Sequence, residues 1–190
     1  KYGHTDVINF YSKIVEAVPE SEIVLYNFEK LCGYKFDTST VKKLVKRFPN
    51  QIIGIKDSTY NIYEELNLEN FSILPGSETK LIKGLRLGCA GIITATCNVT
   101  AELSRKVYDD FMKNKSTIDN KKLCDVREAF EKYNLISGIH SYYLAKDKLY
   151  KNILPPLSLL SQSNHQDLKK KLNSLNFKNS PTMVAKNAIS

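Results

Sequence analysis

Lys56 is the residue whose type and position most constrain the chemistry. It directly continues the apolar run Ile52-Ile53-Gly54-Ile55, where a protonated amine costs on the order of several kcal/mol to desolvate unless it is paired or loses its proton. A neutral lysine amine held there attacks a carbonyl and forms a Schiff base. The other reading is a lysine that leaves the strand end and pairs with its neighbour Asp57. Tyr26 closes the apolar run Ile23-Val24-Leu25-Tyr26. If the two runs are adjacent parallel strands, about 4.8 Å apart, its phenol comes near the Lys56 amine. A phenol so placed relays protons during imine formation and carbon–carbon cleavage; alone, a tyrosine there reads rather as a half-buried aromatic at a strand end, and the pair is worth more than either residue.

Two further apolar runs, Phe71-Ser72-Ile73-Leu74 and Gly91-Ile92-Ile93-Thr94, carry the β-branched enrichment of buried parallel strands. Helical patterns separate them. Residues 7–18 place Val7, Ile8, Phe10, Tyr11, Ile14 and Val15 on one side, and residues 38–48 carry Val41, Leu44, Val45 and Phe48 on one stripe behind Thr38 or Ser39 as the expected cap. A shorter helix over 80–87 ends at Gly88. This alternation predicts βα units around a parallel sheet. After Asn98 only helices are expected, over 101–113, 120–137, 139–150 and 166–175. Residues 177–190 read as a disordered tail.

In a parallel α/β protein the chemistry gathers at the carboxyl ends of the strands. Those ends are Tyr26-Asn27, Lys56-Asp57-Ser58-Thr59, Gly76-Ser77-Glu78 and Thr94-Ala95-Thr96. No G-x-G-x-x-G follows a strand and no G-x-x-x-x-G-K-[ST] occurs, which disfavours dinucleotide and phosphate-loop chemistry. Cys32, Cys89, Cys97 and Cys124 stand far apart, and His4, His140 and His165 form no ligand spacing, so neither a disulfide framework nor a metal site is expected. The net charge of +8 resides mostly in the lysines from Lys146 onward, including Lys169-Lys170-Lys171. Arginine, the residue best suited to phosphate and base contacts, is scarce. Nucleic acid is therefore not expected as a partner. No apolar run approaches the roughly 20 residues of a membrane span, and a cytoplasmic protein is expected. The first residue is lysine, which suggests a portion of a longer protein.

Tyr26-Asn27, Gly33, Gly54-Ile55-Lys56-Asp57-Ser58, Leu74-Pro75-Gly76, the segment from Gly88 through Gly91-Ile92-Ile93 to Asn98, and Pro155-Pro156-Leu157 resemble, in order and spacing, the dihydrodipicolinate synthase / N-acetylneuraminate lyase family. The resemblance runs over residues 1–175. It implies an α/β fold: the C-terminal half of a TIM (β/α)8 barrel, strands five to eight over 1–100, followed by a helical extension over 101–176. It implies a homotetramer that acts on pyruvate or on keto acids cleaved to pyruvate. Lys56 is then the Schiff-base lysine and Tyr26 the proton relay. Gly76 and Ile93 line the pocket through backbone, Ser58 meets substrate hydroxyls, and Glu78 keeps one acid of the pair that grips a sugar tail. The imine is the electron sink, so no metal or organic cofactor is implied.

The departures bear on substrate. The synthase branch of the family places an arginine where this chain has Leu31. The lyase branch has a second acid where this chain has Thr79 and a serine where it has Ala95. A sugar-acid aldolase acting on 2-keto-3-deoxy acids fits beside these two, and a non-catalytic family member is the remaining alternative.

Overall fold

The computed structural model describes residues 2–178, and the chain divides into two compact units, Lys1–Thr94 and Ala95–Ser190. The first unit opens with helix α1, His4–Ala17. Asp6 starts it by accepting the Gly3 amide at 2.8 Å, and Pro19 follows its end. Val7 and Val15 turn inward from this helix as expected, whereas Phe10 is exposed. Strand β1, Ile23–Asn27, leads through a single helical turn, α2 (Glu29–Cys32), to α3, Thr38–Arg47. The α3 cap is Asp37, one residue earlier than expected, because its carboxylate reaches the Thr40 amide at 2.7 Å. Lys46 and Arg47 in the last turn complement the helix dipole.

Strands β2 (Ile52–Asp57) and β3 (Ser72–Pro75) complete a parallel sheet in the order β1-β2-β3. Leu25, Ile55 and Ile73 lie in one row across it, all buried in one core with Val7 of α1 and with Val41 and Leu44 of α3. Each such side chain contributes about 1.5–3 kcal/mol by leaving water. After β3, a short helix α4 (Leu81–Arg86) packs back on it.

The fourth expected strand is not a regular one. Ala90 donates to the Ile73 carbonyl at 3.0 Å and Ile93 to the Pro75 carbonyl at 3.2 Å. Three residues thus advance against two of β3, and the ladder cannot repeat. Gly91 takes up the extra residue at φ 153°, a backbone conformation that side-chain-bearing residues rarely adopt. The segment still follows β3 in the parallel direction.

The second unit is helical: α5 (Cys97–Met112), α6 (Asp119–Glu131), α7 (Leu135–Leu144) and α8 (Gln162–Ser174). The helix expected over 120–137 is broken because Asn134 caps a new one, its side-chain oxygen accepting the Ile136 and Ser137 amides at 3.1 and 3.2 Å. That boundary also moves the helix expected over 139–150 forward, and it ends at Leu144. Ser161 caps α8 and starts it four residues before the expected position. Phe177, read from sequence as the start of a frayed tail, is buried with Val126, Phe130, Leu168 and Leu172; its ring has apolar neighbours to leave water for. The remainder of that tail, residues 179–190, lies outside the described residues.

Candidate active site

Tyr26 and Lys56 are register partners at the carboxyl ends of β1 and β2, and Leu74 of β3 completes their row. Parallel pairing alone brings them together, thirty residues apart in sequence. The Lys56 Nζ lies 4.3 Å from the centre of the Tyr26 ring, within cation–π range. Both side chains are half-buried. Gly54 lies two residues back on the same face of β2 and carries no side chain into the space below the amine.

Asp57 does not pair with Lys56. Successive strand residues point to opposite faces, and the Asp57 carboxylate is fully buried on the other side. There it accepts five N–H groups: the Asn27 Nδ2 at 2.8 Å and the amides of Thr59, Tyr60, Ile62 and Tyr63 at 3.2, 2.9, 2.8 and 3.0 Å. The chain after β2 is wrapped around this carboxylate, which directs Ser58 toward the next strand end.

Ser58 stands against Gly76. An added β-carbon on Gly76 would lie 2.3 Å from the Ser58 Oγ, and the Gly76 amide donates to the Asp57 carbonyl at 2.9 Å. Ile93 joins the same strand ends through its bond to Pro75 and leaves 40% of its surface exposed. Glu78 is placed differently. Its carboxylate is fully buried, with Oε1 accepting the Thr94 hydroxyl at 2.8 Å. The structure therefore gathers Tyr26, Lys56, Ser58, Gly76 and Ile93 at one end of the sheet and turns the Glu78 carboxylate into the protein.

Sequence reasoning missed Asn27 and Asn61. Asn27 donates to both Asp57 and Asn61 and accepts the Phe36 amide at 3.0 Å, while Asn61 donates to the Phe36 carbonyl at 2.8 Å. The available signal was position: Asn27 and Asp57 each follow a candidate catalytic residue and so face the opposite side. Beneath them, burial and then the Asp57 charge push the Cys89 thiol up to about 11. Burial, followed by its bond to Glu64, pushes the Tyr63 phenol up as well. Among the described residues no group of three His, Cys, Asp or Glu is placed to hold a metal ion, and no helix is long and apolar enough to cross a membrane.

The pattern of the Dihydrodipicolinate synthetase family matches residues 1–175. The chain belongs to this family. Among curated members it is 31% identical over 104 residues to a 4-hydroxy-tetrahydrodipicolinate synthase of Methanopyrus kandleri, over 52% of this chain and 34% of that one. It is 32% identical over 116 residues to the probable 2-dehydro-3-deoxy-D-pentonate aldolase YjhH of Escherichia coli, over 57% of this chain and 38% of that one. Among solved structures it resembles YagE, an Escherichia coli K12 prophage protein of the dihydrodipicolinic acid synthase family in complex with pyruvate. That likeness has a TM-score of 0.82 at 22% identity and covers 94% of this chain and 63% of YagE. The fold is thus that of the C-terminal part of a dihydrodipicolinate synthase TIM barrel with its helical extension. The alignments span little more than a third of the curated relatives' length.

Proposed function

We propose that this protein is a Schiff-base aldolase or lyase that forms an imine between Lys56 and pyruvate, or a 2-keto acid cleaved to pyruvate. The observation that carries the reading is the Lys56 amine over the Tyr26 ring at paired strand ends, in a member of this family. In the proposed reaction the neutral amine attacks the keto carbon, giving a carbinolamine. Loss of water yields the protonated imine, and its nitrogen accepts the electron pair released when the bond between the carbons α and β to the imine carbon breaks, leaving an enamine. Tyr26 passes a proton to the departing hydroxyl during imine formation and receives the aldol hydroxyl proton during cleavage. In this reading Ser58, which lies beside Gly76, meets substrate hydroxyls. The imine supplies the electron sink, so the proposed reaction uses no cofactor.

For substrate, a sugar acid of the 2-keto-3-deoxy class or an N-acetylneuraminate-like acid is favoured over the aldehyde of lysine biosynthesis. Leu31 stands where that synthase branch places an arginine, and its apolar side chain, 73% exposed, offers no charge to a second carboxylate. Association of copies into a homo-oligomer, as the resemblance implies, belongs to the same proposal.

The test is reductive trapping. The chain, and the same chain joined behind the upstream barrel strands of the Methanopyrus relative, are incubated with pyruvate and borohydride and read by intact-mass and peptide-mapping mass spectrometry. A reduced pyruvyl adduct on Lys56 in either supports the assignment. Two folded proteins with no adduct would overturn it.

A further inference from the structure

The Tyr26–Lys56 pair has a mirror image on the other face of the sheet. Asn27 and Asp57 are the next register partners, both fully buried, and the Asn27 Nδ2 donates to the Asp57 Oδ1 at 2.8 Å. β1 and β2 are therefore joined side chain to side chain one residue beyond the proposed catalytic row, in addition to their backbone ladder. We propose that Asn27 and Asp57 are positioning residues, whose bridge holds the Lys56 amine over Tyr26 and sets the rate of imine formation. The inference rests on the proposed function for its catalytic part, and on the geometry alone for the placement of Lys56.

Three observations carry it. The β1–β2 register is irregular between Ile23 and Val24, so the start of the ladder does not by itself fix which residues stand opposite at its end. A one-residue slip would send Tyr26 to the face opposite Lys56. The bridge forbids that slip, because it demands Asn27 opposite Asp57. Second, a buried carboxylate is costly to keep, and an apolar pair would hold two strands together without that cost. What the polar pair adds is direction: hydrogen bonds weaken steeply outside a limited range of angles, and Asn27 uses both ends of its amide here, on Asp57 and Asn61 and on the Phe36 amide. Third, the same carboxylate gathers the amides of Thr59, Tyr60, Ile62 and Tyr63. A single group thus sets both the stagger of the strand ends and the course of the chain carrying Ser58.

The test separates positioning from mere support. Asn27→Ser, which leaves a hydroxyl too short to span to Asp57, and Asp57→Asn, which turns an amide donor toward N–H donors, are compared with Val41→Ala, a core variant away from the site. For each protein, folded fraction is set by circular dichroism, and the rate of borohydride trapping on Lys56 is measured against pyruvate concentration. Positioning predicts a saturating rate lowered about ten- to a hundredfold in the Asn27 and Asp57 variants, with the half-saturating concentration little changed, while Val41→Ala lowers the melting temperature alone. Rates that fall no further than in Val41→Ala overturn the proposal. Should Asp57→Asn not fold, Asn27→Ser decides it. If neither the wild-type chain nor its joined form traps pyruvate, the functional reading fails first. The placement is then read from Lys56 acetylation by an amine-reactive ester. Release from the Tyr26 ring predicts labelling severalfold faster in Asn27→Ser, and unchanged labelling overturns the inference.

Discussion

The hydroxyl of Ser58 occupies the space that a side chain on Gly76 would need: a β-carbon there would fall 2.3 Å from the Ser58 Oγ, 3.0 Å from its Cβ and 3.1 Å from its Cα. The ends of β2 and β3 are that closely apposed because the Gly76 amide bonds the Asp57 carbonyl. Gly76→Ala is expected to destabilise the fold by about 1–3 kcal/mol through overpacking. Adding Ser58→Gly, which removes the two nearer atoms, is expected to restore much of the loss. Thermal melts of the single and double variants check this, and an additive pair would show that the contact is not what Gly76 protects.

Gly54→Ala makes a harsher demand. Its β-carbon would meet the backbone carbonyl oxygen of Ser72 at 2.6 Å, and no side chain can swing aside. Because β2 is the central strand, the clash must push β3 away. We expect a loss at or above about 3 kcal/mol, the upper end for overpacking, and denaturant unfolding should rank Gly54→Ala below Gly76→Ala.

Tyr26 and Lys56 are expected to separate chemistry from stability. Lys56→Ala should abolish the pyruvate adduct while leaving the circular dichroism spectrum unchanged, since the side chain is half-buried and anchors no other residue by hydrogen bond or ion pair among the described residues. Tyr26→Phe keeps the ring under the amine and removes only the hydroxyl. Trapping should slow by about 10²–10⁴-fold if the phenol relays protons, and a rate equal to wild type would remove Tyr26 from that role.

Alkali is expected to weaken the first unit. The Cys89 thiol is pushed from its ordinary 9.0 to about 11, and the Tyr63 phenol is raised in the same direction. A raised acid holds its proton in the folded state after the unfolded chain has released it. Its contribution to stability is therefore complete below about pH 9 and is lost as pH climbs toward the folded value. Melting temperature should fall between about pH 9 and 11, less steeply in Cys89→Ala. The same burial predicts that Cys89 resists alkylation at about pH 8 in the native protein, whereas the exposed Cys32 reacts.

Much of the site was legible before any fold was known, for a simple physical reason. A lysine that continues an apolar strand and a tyrosine that ends another are local anomalies, and short continuous β-branched apolar runs with helical stripes between them are enough to predict a parallel sheet with both at its carboxyl end. The order and spacing of short motifs then pointed to the family. Other features were illegible because they depend on groups far apart in the chain. Asp57 looked like a partner for Lys56 by adjacency, yet strand geometry turned it to the opposite face, where Asn27 and four amides awaited it. Glu78 looked available to a ligand, yet Thr94, sixteen residues on, draws it inward. Gly91 broke a strand that its apolar neighbours promised, since only the register against Ile73 and Pro75 reveals the extra residue. Sequence determined which residues carry reactive groups and the elements that bear them; tertiary structure decided which face each group occupies and what satisfies it, because hydrogen-bond partners of buried polar groups are set by strand register and chain return rather than by neighbours along the chain.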